Sequence, residues 1–232
     1  MTNLSISLGV RRRPDAGEAA LKSRLPNPKQ IEKTLWRDAC ACRCCGFESK
    51  RFQRVVSASL LPQQEGVSDD EFITVCTFCE LTMMMERAGQ MGAGYIIWLP
   101  ELTQAELNHA MRALYIAQKS GDETLQKAAT RTLEVLTLRR SEAKKRLGTD
   151  DPLILATAFH ENVSKEAYEE RMAKMEGLRF FPFARYMMRR NGKNEDIFDE
   201  MMEYWTSPEG PYADLPVSEW AREFEAISAK AE

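Results

Sequence analysis

The segment "DACACRCCGFE" (residues 38–48) places four of the chain's six cysteines, Cys40, Cys42, Cys44 and Cys45, within six positions. The other two stand in "CTFC", as Cys76 and Cys79. Only one pair in the cluster, Cys42-x-x-Cys45, has two intervening residues, and Cys76-x-x-Cys79 repeats that spacing after a gap of thirty residues. A pair so spaced forms a knuckle, a tight turn that aims two thiolates at one ion. A glycine after the second cysteine relieves the backbone there, and Gly46 stands in that place. Two knuckles supply the four ligands of a closed tetrahedral zinc site. The spacing therefore predicts one structural Zn2+ on Cys42, Cys45, Cys76 and Cys79, with Cys40 and Cys44 as spare thiols in packing roles. Arg43, Lys50 and Arg51 lie near enough in sequence to offset the negative charge of four thiolates. A closed site has no open position for substrate, so its work is folding. Structural zinc supplies about 10–16 kcal/mol of apparent binding free energy in finger peptides, which a module with a short core needs. A thioredoxin-like redox pair is the weaker alternative, because no βαβ pattern surrounds either pair.

The rest of the composition sets the context. The 232 residues are 44% hydrophobic and 29% charged, which suits one large globular domain or two small ones. A net charge of −3 and a pI of about 5.7 weigh against bulk nucleic-acid binding. The longest apolar stretch, "GAGYIIWLP", is far short of a membrane span. The start "MTNLSISLGVRRRPD" lacks a signal-peptide core. A cytoplasmic protein is expected, and there reduced thiols favour metal over disulfides.

Along the chain, the alternation in "NLSISLGV" predicts a strand, followed by a connector to a helix starting near Pro28. A short apolar strand follows the cysteine module at "GYIIWLP". Thr103 and Glu106 form a capping box that opens a helix. Further helices fit residues 122–147 with Gly148 as stop, a segment opening at Asp151-Pro152, Ser164 to Gly177, then 182–190, 194–206 and 217–229. The fold expected is α+β: a small zinc-stapled ββα module followed by a mostly α-helical region. Its divisions are residues 1–30 (strand and connector), 31–100 (zinc-binding module), 101–206 (helical region) and 207–232 (loop and last helix).

Two Cys-x-x-Cys pairs, the second leading into a helix, form a frame similar to that of the zinc-stabilised His-Asn-His nucleases. That family activates water with a His at the end of the bracketed hairpin and binds its catalytic metal with another on the helix. Neither segment here holds a histidine. The chain has only His109 and His160, both downstream and read as ordinary helix residues. Asp69 and Asp70, near where the family's Asn would fall, read as a solvated loop. The module is thus expected to carry the scaffold without the chemistry, and no enzyme activity is expected.

"CRCCGFESKRFQRVV", "ITVCTFCELTMMMERAG" and above all "LPELTQAELN" (residues 99–108) resemble the IcmJ/DotN proteins of type IVB secretion systems. The resemblance runs from "NLSISL" to about residue 206. It implies a zinc-stabilised, non-catalytic adaptor of the coupling complex that binds the C-terminal extension of the VirD4-like coupling ATPase. The protein would be cytoplasmic, peripheral to the inner membrane through that complex, and would not bind nucleic acid. The zinc ligands carry over to Cys42, Cys45, Cys76 and Cys79. Candidate partner contacts are Met83, Met84 and Met85, Phe180 and Phe181, and the aromatic residues Trp205, Tyr212 and Trp220, since flexible Met and anchoring Trp and Tyr suit binding surfaces. The competing reading is a divergent zinc-containing nucleic-acid-binding or nuclease-like protein, motivated by Arg11–Arg13 and by Lys50, Arg51 and Arg54.

Overall fold

Several helix starts in this chain are set by side-chain caps. In the computed structural model, which describes residues 3–11, 25–61, 71–213 and 220–231, the first helix, α1 (Pro28–Arg37), opens on Asn27. Gln30 N–H donates to Asn27 Oδ1 and Asn27 N–H to Gln30 Oε1, both at 2.9 Å. Strands β1 (Arg54–Ser57) and β2 (Phe72–Val75) pair antiparallel, from Arg54 opposite Val75 to Ser57 opposite Phe72. Helices α2 (Thr77–Met83) and α3 (Met85–Gln90) follow, then β3 (Gly94–Trp98). Thr103 caps α4 (Gln104–Gln118) through the capping box that the sequence predicts. Asp122 caps α5 (Glu123–Leu138), which breaks at Arg139 before α6 (Arg140–Leu147). Helices α7 (Pro152–Glu161), α8 (Lys165–Glu169) and α9 (Arg171–Lys174) come next. Strand β4 (Leu178–Pro182) pairs with β3, and β5 (Met187–Arg190) with β6 (Lys193–Asp196). Helices α10 (Phe198–Thr206) and α11 (Trp220–Ala231) end the described chain. The fold is α+β, with small antiparallel sheets. Among the described residues no helix is long and apolar enough to cross a membrane.

The chain forms two units, Met1–Gln90 with Pro152–Glu176 and Met91–Asp151 with Gly177–Glu232. In the first, β2 runs directly into α2, every residue of which is buried. An all-round buried helix explains why this stretch shows no amphipathic stripe. Residues 3–11, expected as a strand, lie as an extended segment with Leu4, Leu8 and Val10 buried. Its hydrogen bonds go elsewhere than to a ladder. Leu4 N–H donates to Arg43 O at 2.7 Å and Gly9 N–H to Thr82 O at 2.8 Å, while Gly9 O accepts from Met85 N–H at 3.1 Å. The segment thus satisfies backbone groups freed at the α2–α3 break. Helix α3 packs along α7.

The second unit centres on β3 and β4. Gln104, 4% exposed, imitates a neighbouring strand: Phe180 N–H donates to its Oε1 and its Nε2 donates to Phe180 O, both at 2.8 Å. This pins α4 to the edge of β4. Tyr95 stacks on Phe181 at 4.8 Å, and Phe198 meets Tyr115 and Trp205 edge-on at 5.6 and 5.9 Å. Helix α11 lies on α5, where Thr132 and Ser228 hydroxyls share a buried hydrogen bond of 2.9 Å.

The expected helices over residues 182–190 and 194–206 need correction. Residues 178–182 are β4, and residues 187–196 form the β5–β6 hairpin. Asn191 and Gly192 make its two-residue turn with φ of 51° and 79°. That is the doubly left-handed turn whose twist suits a tight hairpin. Only residues 198–206 of the second segment are helical. The single helix expected over 122–147 is two, and the region after the cysteine module carries three strands as well as helices.

Candidate metal centre

Two backbone devices bring the cysteines together. In the first knuckle Cys42 N–H donates to Phe47 O at 2.9 Å and Gly46 N–H to Cys42 O at 2.7 Å, with a bridge between Ala41 and Glu48 beneath. Gly46 has φ of 75°, a conformation that costs glycine little and other residues more. Arg43 N–H donates to Thr74 O at 2.8 Å, which ties the knuckle to β2. In the second, Cys76 is the N-cap of α2, and its sulfur accepts from Cys79 N–H at 3.5 Å.

The result is one cluster. The sulfurs of Cys42, Cys45, Cys76 and Cys79 all lie within 4.8 Å of one another, and the four residues are 1%, 5%, 2% and 0% exposed. A Zn–S bond of about 2.3 Å fixes a tetrahedron edge of about 3.8 Å. Cys45 and Cys76 sulfurs stand 3.7 Å apart. Four buried thiols at this separation can hold a metal ion, and the all-sulfur donor set suits zinc.

The electrostatics agree with a cation-binding cluster. Burial pushes the Cys42 thiol up, but hydrogen bonds from Cys44 and Cys45 outweigh it and leave Cys42 well below its ordinary value. Cys76 is likewise lowered against the cost of burial, chiefly by Cys42. Hydrogen bonding with Cys42 and the other sulfurs holds Cys79 well above, with burial adding to it. A divalent ion bound here would displace the protons that the thiols carry.

Two buried carboxylates lie close to the cysteines in sequence, Asp38 before Cys40 and Glu80 after Cys79, and neither is singled out by the sequence patterns. Asp38 accepts from Thr74 N–H at 2.9 Å and from Arg37 Nε at 2.8 Å, with Arg43 Nη1 at 3.5 Å. Arg43 thus faces Asp38; Lys50 is exposed, and Arg51 lies over the Phe52 ring. Glu80, 2% exposed and next to Cys79, pairs with Arg87 at 3.1 Å and Arg54 at 3.6 Å. An acidic residue in the first helical turn after a Cys-x-x-Cys is a usable signal for such an anchor; Asp38 follows a helix end and carries none.

The other candidates are not members of the four-sulfur cluster. Met83, Met85, Phe180, Phe181 and Trp205 are 2%, 0%, 0%, 3% and 2% exposed and pack inside their own units. Met84, Tyr212 and Trp220 keep partial exposure. Tyr212 and Trp220 meet edge-on at 5.8 Å and line an open cleft of about 600 Å3 with Ile116, Met202, Asp199 and Glu203. His109 lies on α4 and His160 on α7. Arg12, Arg13, Asp69 and Asp70 lie outside the described residues.

No protein-family model matches the chain. It is similar to the type 4 apparatus protein DotN of Legionella pneumophila, 29% identical over 148 residues that cover 62% of this chain and 68% of that protein.

Proposed function

We propose, from its likeness to the DotN protein, that the chain is a member of the DotN family of type IV secretion components and a non-catalytic, zinc-stapled adaptor of a type IVB coupling complex. The observation that carries this reading is the pairing of the family likeness with a closed cluster of four buried cysteines. Such a cluster has four sulfur donors for a four-coordinate ion and no free position for water or substrate, so its product is a rigid module. Cys42, Cys45, Cys76 and Cys79 would hold one Zn2+, which there supplies folding energy. The ββα order of β1, β2 and α2 supports a nuclease-like scaffold, and the lack of a histidine among residues 38–90 supports its use for binding alone.

The partner would be the C-terminal extension of the VirD4-like coupling ATPase. It would hold the protein at the cytoplasmic side of the inner membrane through the complex. Buried Met83, Met85, Phe180, Phe181 and Trp205 already serve the interior, so the contact is assigned to the exposed candidates. Tyr212 and Trp220 are favoured because aromatic walls over an apolar floor, here Ile116 and Met202, suit an anchoring side chain. The test is co-purification of the full chain with that tail. The expected result is a stable complex that Tyr212→Ala and Trp220→Ala weaken. A wild-type protein that ignores the tail refutes the partner assignment, and unchanged binding by both variants refutes the cleft.

A further inference from the structure

Among the described residues, strand β1 pairs with β2 alone, and its other edge walls a cavity of about 140 Å3. Arg54, Val55, Val56 and Ser57 all line that cavity. Side chains along a strand alternate between faces, so four consecutive lining residues mean that the strand presents its edge. The hydrogen bonds of β2 fix which groups point outward. Thr74, opposite Val55, donates its N–H to Asp38 at 2.9 Å and accepts from Arg43 N–H at 2.8 Å, so neither group bonds to β1. Val55 and Thr74 are therefore a non-hydrogen-bonded pair, and in an antiparallel ladder the N–H and C=O of such a residue point to the opposite edge. Ala58 N–H, three residues on, donates to Glu71 O at 2.7 Å and keeps the same alternation. Among the described residues no hydrogen bond reaches the Val55 backbone.

The cavity is basic as well as open-edged. Arg11, Arg54 and Arg87 line it against the single carboxylate of Glu80, an excess of two positive charges. The Glu80 side chain is 2% exposed, whereas those of Arg54 and Arg87 keep 35%, so a ligand meets guanidinium groups rather than the acid. Leu60 and Met84 add apolar lining. We infer that this edge docks an extended acidic peptide of a partner protein, which adds a strand to β1 and sets its carboxylates against the arginines. A nucleic-acid strand offers phosphates but no row of donors and acceptors at strand spacing. Alternate acidic and apolar residues suit the site, because each kind then keeps its own face of the added strand. The site belongs to the cysteine-bearing unit and the Tyr212–Trp220 cleft to the other. It rests neither on the zinc reading nor on the ATPase assignment.

The experiment titrates the full chain against fluorescent, end-capped peptides and reads anisotropy. The probes are EVEVEV, its basic counterpart KVKVKV, and EVEVEV N-methylated at every amide. EVEVEV is expected to bind saturably, and more weakly as salt rises from about 0.05 to about 0.5 M. The other two are expected to bind at least about tenfold more weakly, since one reverses the charge and the other cannot pair as a strand. Val55→Pro removes the outward N–H and no β1–β2 bond, and should weaken EVEVEV at least about fivefold. Hydrogen exchange of the Val55 amide in the wild-type chain should slow when EVEVEV binds, a readout that holds even if the proline variant fails to fold. Equal binding of the three peptides, no binding of EVEVEV, or unchanged exchange at Val55 overturns the inference. So does a thymidine oligonucleotide that displaces EVEVEV and binds more tightly, or a dimer of the chain that Val55→Pro dissolves and EVEVEV leaves intact.

Discussion

Asp38→Ala is the most informative single change outside the cysteines. The side chain is 0% exposed and sits between the end of α1 and β2, the strand that also holds the first knuckle. One oxygen accepts from Thr74 N–H at 2.9 Å, and Thr74 is itself fully buried. Alanine leaves that N–H without its acceptor, which costs about 1–3 kcal/mol. The ion pair with Arg37 adds less, because Arg37 is 35% exposed and water takes over part of its solvation; up to about 1 kcal/mol is expected. The total is about 1–4 kcal/mol, whereas Asp38→Asn keeps an acceptor for Thr74 and should lose no more than about 1 kcal/mol. With a urea slope of about 2 kcal/mol/M, alanine moves the midpoint by about 0.5–2 M and asparagine by at most about 0.5 M. The assay is urea-driven release of zinc from the loaded protein, which follows the cysteine-bearing unit. The pH dependence adds a sign. Burial pushes the Asp38 carboxyl up, but hydrogen bonds from Arg37 and Thr74 outweigh it and hold the group below its ordinary value. Its contribution is therefore fully present above the unfolded value of about 4 and is lost as pH falls through the lower folded value. A gap under about 0.5 kcal/mol at pH 7, within the range of ordinary surface changes, refutes the reasoning.

Three further outcomes are expected. Tyr115→Phe removes a 2.7 Å hydrogen bond to Pro182 O in a buried site and should cost about 1–2 kcal/mol. Because burial pushes the Tyr115 phenol up, wild-type stability should fall as pH rises past about 10, more steeply than in the variant, as calorimetry against pH would report. Ala39→Gly should stabilise by about 0.5 kcal/mol in the same urea assay, since Ala39 has φ of 51° and the relief of left-handed strain exceeds the entropy glycine adds. Cys40→Ser should keep zinc at wild-type content by metal analysis, because Cys40 lies outside the four-sulfur set.

How much of this was written in the sequence depends on the kind of signal. The four-sulfur cluster was legible because Cys-x-x-Cys is a local spacing rule, and Gly46 marked the left-handed position after it. The caps at Thr103 and Ser164 were legible for the same reason, each being a contact between a side chain and a backbone group three residues on. The β5–β6 hairpin was misread although its signal is local too. Asn191-Gly192 between short flanks marks a two-residue hairpin turn, but the charged, exposed β6 has no apolar alternation to reveal it. Strand β4 was hidden differently. "LRFFP" is apolar almost throughout because Gln104 and α4 cover it, and periodicity cannot separate such a run from a buried helix. Long-range placements, such as Asp38 on Thr74, leave no trace in local pattern.

The central claim is that one zinc ion ties the two cysteine pairs into a single module. Metal content of the purified full chain tests it most directly, compared with Cys76→Ser/Cys79→Ser, which removes the second pair entirely. The account predicts one zinc per wild-type chain and none in the double variant, with the first unit losing its fold. A double variant that still carries one zinc per chain, or a folded wild-type protein that carries none, would contradict it.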